Sequence, residues 1–170
     1  MMFSDSMKGD FKMNKKIAVA YYSHSGNTRR LAQMIADKTG ADIFEITPEK
    51  EYPADYDTVV EQAKKEIRAD YRPALSSPSA DLEAYDLIFA GTPNWWSTFA
   101  PPVAAYLEGN RLSGKKVIPF CTHGGGGFGH IEKDVQALCP DSVILPGFCA
   151  YEGSAADMQL SAWLEKIMSE

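Results

Sequence analysis

With 170 residues, 45% hydrophobic and 24% charged, the chain suits one domain and can bury a sizeable core without disulfide staples. A formal net charge of -6 argues against nucleic acid as a main partner, because phosphate backbones select basic stripes; an acidic surface suits basic protein partners instead. The three cysteines, Cys121, Cys139 and Cys149, are odd in number and lack C-x-x-C spacing, so they read as reduced, partly buried thiols of a cytoplasmic protein rather than a disulfide framework or zinc site.

Residues 1–14 (MMFSDSMKGDFKMN) contain no apolar run long enough for a signal peptide or a membrane span. They are expected to be a disordered extension or to precede an alternative start at Met7 or Met13, with the single domain running over 15–170. From there, short apolar runs alternate with helical periodicity. Strands are expected at Ile17–Tyr22, Leu87–Ala90, Val117–Cys121 and Val143–Leu145, with a weaker one at Asp42–Ile46. Between them, one helix face carries Leu31, Met34 and Ile35, and the next carries Val59, Val60, Ala63 and Ile67. Further along come Val103, Tyr106 and Leu107, then Ile131, Val135 and Leu138, and last Leu160, Trp163, Leu164 and Ile167. Gly40 reads as a helix stop and Pro101–Pro102 as a helix first turn. Tyr71–Asp81 reads as a Pro/Ser-rich loop. This βαβαβαβαβα order predicts an α/β fold: an open, doubly wound, five-stranded parallel sheet of order 2-1-3-4-5 with helices on both faces.

Three loops, each following a strand, carry the chemistry. Ser23-His24-Ser25-Gly26-Asn27-Thr28 offers hydroxyls, an amide and a curling glycine at a helix start. That is a phosphate cradle made of N–H and O–H donors, or else an ordinary helix cap by Ser25 or Asn27. A P-loop is excluded because G-x-x-x-x-G-K-[ST] is absent. Pro93-Asn94-Trp95-Trp96 places two flat aromatic rings in a strand-to-helix loop, to stack on a heteroaromatic ligand or to pack under the loop as core. Thr122-His123-Gly124-Gly125-Gly126 opens a run of four glycines, through which backbone amides can approach a ligand closely or which simply flexes. All three loops fall at one carboxyl edge, and strands 1 and 3 are neighbours where the winding reverses, the place where such sheets bind ligands. Together they make a site for a phosphorylated aromatic cofactor. A receiver domain is disfavoured, since Thr92 and Pro93 end the third strand where an acceptor aspartate would stand; a hydrolase is disfavoured by the missing G-x-S-x-G elbow.

The segments YYSHSGNT (Tyr21–Thr28), YDLIFAGTPNWWST (Tyr85–Thr98), SGKKVIPFCTHGGGGFG (Ser113–Gly129) and LCP (Leu138–Pro140) resemble the flavodoxin-like family, in particular its short-chain bacterial members with a paired-Trp loop. The resemblance runs from about Lys15 to the C-terminus, and implies non-covalent FMN. In that likeness Ser23 to Thr28 would hold the phosphate. Pro93, Asn94, Trp95 and Trp96 would lie beside the isoalloxazine, and Thr122, His123, Gly124, Gly125 and Gly126 would line its other side or pyrimidine edge. Ser23, Ser25, His24 and Asn27 depart from the family's common T-x-T-G-x-T loop while keeping hydroxyl donors. His24 would neutralise the phosphate, or point to solvent with only its backbone engaged. The resemblance implies an electron-transfer flavoprotein working with redox partner proteins; the alternative is an NAD(P)H-dependent oxidoreductase passing electrons to a quinone or similar acceptor. No catalytic side chain and no metal ligand is expected.

Overall fold

The structure, a computed structural model, describes residues 15–76, 81–152 and 157–169. The expected extension over 1–14 lies outside the described residues, as does part of the Pro/Ser-rich loop. Six strands form: β1 (Ile17–Tyr21), β2 (Asp42–Glu45), β3 (Leu87–Pro93), β4 (Lys116–His123), β5 (Val143–Ile144) and β6 (Phe148–Tyr151). Five helices alternate with them: α1 (Asn27–Thr39), α2 (Tyr56–Arg68), α3 (Pro101–Glu108), α4 (Ile131–Leu138) and α5 (Asp157–Met168). The sheet is parallel throughout in the order β2-β1-β3-β4-β5, with β6 also paired to β4.

The continuous apolar run of β1 follows from burial on both faces. Ile17, Val19 and Tyr21 share one face with Leu87, Phe89, Ile118 and Phe120, under Leu31 and Ile35 of α1 and Leu160, Leu164 and Ile167 of α5. Ala18 and Ala20 share the other with Ile88, Ala90, Val117 and Cys121, under α2, α3 and α4. Fully burying each large aliphatic or aromatic chain in these layers stabilises the fold by about 1.5–3 kcal/mol. Gly91 is fixed by packing: a Cβ there would lie 2.2 Å from the Phe120 ring on the neighbouring strand. Gly40 ends α1 with φ 75, its N–H bonded to the Ala36 carbonyl, and Pro101–Pro102 occupy the first turn of α3.

The fifth strand position differs from expectation. It is split into β5 and β6 by Leu145-Pro146-Gly147, and β6 has no counterpart in the sequence reading. The cause lies partly in β4. Lys115, Val117 and His123 turn their carbonyls toward this side, accepting from Val143, Leu145 and Glu152. Pro119 has the same parity, so it presents to this side a position that lacks an N–H. The ladder stops after Leu145 and resumes with Phe120 opposite Phe148, one residue out of step with Val117 opposite Ile144. Gly147 takes up the extra residue: its N–H donates to Glu132 Oε2 at 2.7 Å, and a Cβ there would lie 2.3 Å from the Pro119 carbonyl oxygen.

Candidate functional site

Because every strand is parallel, the loops after β1, β2, β3 and β4 leave the same edge of the sheet. The β1–α1 loop meets the helix without a side-chain cap. Gly26 sits at the N-cap position with φ 98, no cap bond forms, and the first turn of α1 holds no acidic residue. The first-turn amides therefore keep their donors free of a capping side chain, and the helix dipole adds positive potential there. By contrast α2 is capped by Asp55, whose carboxylate accepts from the Thr58 N–H. Ser23 Oγ accepts from the Gly26 N–H at 3.1 Å, and Asn27 Nδ2 donates to Ser25 Oγ at 3.2 Å, so both serines shape the loop. Thr28 is buried, and its hydroxyl bonds that of Thr122 at 2.8 Å, which ties the cradle to β4. Capping by Ser25 or Asn27 is not observed; a donor-rich, acid-free helix start fits a phosphate group.

His24 does not point to solvent. Its ring is half-buried, and Nε2 donates to the Pro53 carbonyl at 2.8 Å, which leaves Nδ1 as the ring's other polar atom. The ring meets Trp95 edge-to-face at 5.9 Å between centroids. Trp95 also packs against Tyr22 (5.6 Å) and Tyr52 (5.1 Å), so it stands half-buried in an aromatic cluster. Tyr52 O–H donates to Glu66 Oε1 at 2.6 Å. Burial first, then Glu66, holds both the Tyr22 and Tyr52 phenols well above their ordinary range.

Trp96 diverges from its neighbour. It is 50% exposed, its Nε1–H donates to the Val60 carbonyl at 3.0 Å, and Lys64 Nζ lies 5.3 Å from its ring centre. The paired tryptophans thus separate, one to the aromatic cluster and one to α2. The divergence comes from a tight hairpin. Trp95 and Thr98 exchange both backbone hydrogen bonds, and Trp96 and Ser97 between them have φ 56 and 70. Two consecutive left-handed residues are the signature of a type I′ turn, usually built from Asn and Gly. Pro93 is the buried last residue of β3. Asn94 N–H donates to the Thr122 carbonyl, Asn94 Nδ2 to the Gly127 carbonyl, and Asn94 Oδ1 accepts from the Ser97 N–H.

On the far side, Thr122 and His123 close β4, and Gly124, Gly125 and Gly126 are exposed. The Gly125 N–H donates to His123 Nδ1 at 3.0 Å, and the His123 ring meets Tyr151 of β6 edge-to-face at 5.8 Å. No Lys or Arg occurs in residues 22–26, 94–97 or 123–129. The three expected loops therefore come together at one edge. Sequence reasoning missed the β2–α2 loop, which supplies Tyr52 and Pro53; an aromatic next to a proline beyond a strand's carboxyl end was the available signal. Ser97 and Gly127, which lie within the expected loops, and Tyr151 of β6 were not among the candidate residues. A separate groove of about 370 Å³ lies behind the hairpin between α2 and α4, lined by Glu66, Tyr71, Arg72, Phe99 and Asp134 among others. Among the described residues, no group of His, Cys, Asp and Glu could hold a metal ion, and no helix is long and apolar enough to cross a membrane.

Fold and loops together define a doubly wound α/β protein whose three donor- and glycine-rich loops converge where strands 1 and 3 meet. The chain matches the flavodoxin family over residues 16–167 and belongs to it. Among solved structures, a proposed flavoprotein from Bacteroides eggerthii DSM 20697 superposes with a TM-score of 0.80 at 30% identity, covering 91% of this chain and 98% of that one. Another from Bacteroides uniformis ATCC 8492 gives 0.80 at 30% identity, covering 89% and 98%. A flavoprotein from Lactobacillus acidophilus NCFM, solved in complex with FMN, gives 0.72 at 22% identity, covering 88% and 99%. No curated protein matches the chain.

Proposed function

We propose that this protein binds FMN at the convergent loops and serves as an electron-transfer flavoprotein. The observation that carries the reading is the helix start of α1: uncapped, acid-free, preceded by a left-handed glycine, flanked by Ser23 and Ser25, and hydrogen-bonded through Thr28 to the strand that ends in the glycine loop. In this reading the loop Ser23–Thr28 holds the phosphate, Trp95 with its aromatic neighbours walls one side of the ring system, and His123 with Gly124–Gly126 lines the opposite edge. The FMN complex of the Lactobacillus acidophilus flavoprotein supports the choice of cofactor. Bound FMN would supply one- or two-electron redox chemistry; the chain's part is to bind and tune it. With no Lys or Arg in the three loops and a formal net charge of -6, the loops themselves offer little compensation for added negative charge on the ring, which favours a low reduction potential. Three free thiols suit a reducing compartment, so we place the protein in the cytoplasm.

The test is a titration of apo-protein with FMN and with riboflavin, followed by flavin fluorescence. FMN binding clearly tighter than riboflavin supports a phosphate cradle; no FMN binding refutes the reading. Loaded protein is then mixed anaerobically with NADH or NADPH. Ready reduction by a flavodoxin reductase but not by nicotinamide makes it a carrier. Rapid bleaching that saturates with nicotinamide makes it an NAD(P)H-dependent oxidoreductase instead.

A further inference from the structure

Asn94 links the tryptophan hairpin to the glycine loop, and each end of its side-chain amide has a backbone partner. Oδ1 accepts the Ser97 N–H at 2.9 Å inside the tryptophan hairpin. Nδ2 donates to the Gly127 carbonyl at 2.7 Å inside the glycine loop. The orientation of the amide is fixed by its partners, since a backbone N–H must meet the oxygen and a backbone carbonyl must meet the nitrogen. Its own N–H donates to the Thr122 carbonyl at 2.9 Å, so the main chain is anchored to β4 as well.

The hairpin needs such a clamp. Trp96 and Ser97 both sit at positive φ, a conformation that persists in non-glycine residues only when the surroundings hold it. The glycine loop needs one too. Gly125 has φ 137 and Gly127 φ 67, and neither has a heavy atom within 4 Å of where a Cβ would stand, so the stretch is held through its backbone, by His123 Nδ1 at the Gly125 N–H and by Asn94 and Cys121 Sγ at the Gly127 carbonyl. A second contact joins the loops below the clamp, where the His130 N–H donates to the Ser97 carbonyl at 2.6 Å.

We propose that Asn94 is a positioning residue: it sets the spacing between the tryptophan hairpin and the glycine loop, and so the width of the cleft, without itself touching the cofactor. The proposal rests on the FMN reading for the identity of the ligand, but the clamp is a property of the apo-protein. Asn94→Ala removes both side-chain bonds. Asn94→Asp keeps an acceptor for Ser97 and loses the donor to Gly127, with a carboxylate now facing a carbonyl.

The experiment measures amide hydrogen exchange in apo-protein and then FMN affinity, in wild type and both variants, with thermal unfolding as the folding control. In Asn94→Ala the Ser97, Gly125 and His130 amides exchange faster, and FMN and riboflavin both bind about tenfold to a hundredfold more weakly, because loops already ordered in the wild-type apo-protein must now be ordered on binding. In Asn94→Asp the Ser97 amide stays protected while Gly125 loosens. Loss of FMN affinity with unchanged exchange in the apo-protein would make Asn94 a direct ligand and overturn the proposal. Loosened loops with unchanged affinity would overturn it equally. If wild type binds no FMN, the functional reading fails, and the exchange pattern still decides whether Asn94 joins the loops.

Discussion

Ser97→Gly is expected to stabilise the apo-protein. The residue has φ 70 and follows Trp96 at φ 56, so an L-residue holds each central position of a type I′ turn. Left-handed backbone costs a non-glycine residue about 1–2 kcal/mol. Glycine removes that cost, and its greater freedom in the unfolded chain takes back about 0.4–1 kcal/mol. Ser97 enters the turn through its main chain, donating to Asn94 Oδ1 and accepting from His130, so both contacts survive the change. The balance is a gain of about 0.5–1 kcal/mol. For a chain of this size that raises Tm by about 1–4 °C. Urea unfolding of apo-protein should show a higher midpoint at an unchanged m-value. Trp96→Gly is the control: it relieves the same strain but gives up the bond to the Val60 carbonyl and the Lys64 contact, so its gain is smaller or reversed. If Ser97→Gly lowers stability by more than 0.5 kcal/mol, on the order of one hydrogen bond, the turn is not strained in the way argued.

The buried hydroxyl pair Thr28–Thr122 predicts strong non-additivity. Thr28→Val alone strands the Thr122 hydroxyl and costs about 1–3 kcal/mol, whereas Thr28→Val with Thr122→Val is close to neutral; a double-mutant cycle of chemical denaturation checks this, and two additive losses would contradict it. Burial pushes the Cys139 thiol up to about 11 and Cys121 well above the ordinary thiol range. A raised folded-state value means that the native protein keeps protons that the unfolded chain releases. This stability is complete below the unfolded thiol value of about 8.5 and is lost as pH climbs from there through the folded values. Stability measured from pH 7 to 10.5 should fall above about pH 8.5, less steeply in Cys139→Ala.

Most of the architecture was legible because parallel strands buried on both faces cannot hide: IAVAY and LIFA are continuous apolar runs bounded by turn residues. The weak alternating run at Asp42 also proved to be a strand, paired in register with Ala18–Tyr21. What sequence could not show is where tertiary partners decide. Phe148–Tyr151 lies just beyond Pro146-Gly147, a pair that reads as a loop; it becomes a strand only because β4 offers a free edge past Pro119. The three loops of the site were legible for the same reason as the strands, since strand ends fix them to one edge. The separate fates of Trp95 and Trp96 were not, because the left-handed turn that parts them is built from residues that rarely adopt it. Nor could sequence show that His24 is held by the Pro53 carbonyl, a contact 29 residues away.

The glycine run can be divided by what the chain itself demands. Gly129 has φ 58, and a Cβ there would lie 2.6 Å from the Ser97 carbonyl oxygen, so both conformation and the hairpin exclude any other residue. Gly124 and Gly126 are different. Neither has a left-handed φ, and a Cβ would meet only Glu152 at 3.7 Å in the first case and Asn94 Nδ2 at 3.5 Å in the second, ordinary contact distances. Neither position shows a contact or a left-handed φ that requires glycine, which is what the FMN reading expects where a ligand would approach the backbone. Gly124→Ala and Gly126→Ala should therefore leave apo-protein stability unchanged or raise it by about 0.4–1 kcal/mol, through the smaller entropy of the unfolded chain. On the FMN reading, affinity should fall in the same variants, because the added methyl would stand where that reading puts the ligand. Stability and affinity moving in opposite directions is the signature of ligand approach. Affinity that stays at the wild-type value in both variants would remove the glycine loop from the site and leave the α1 cradle and Trp95 to hold the ligand without it.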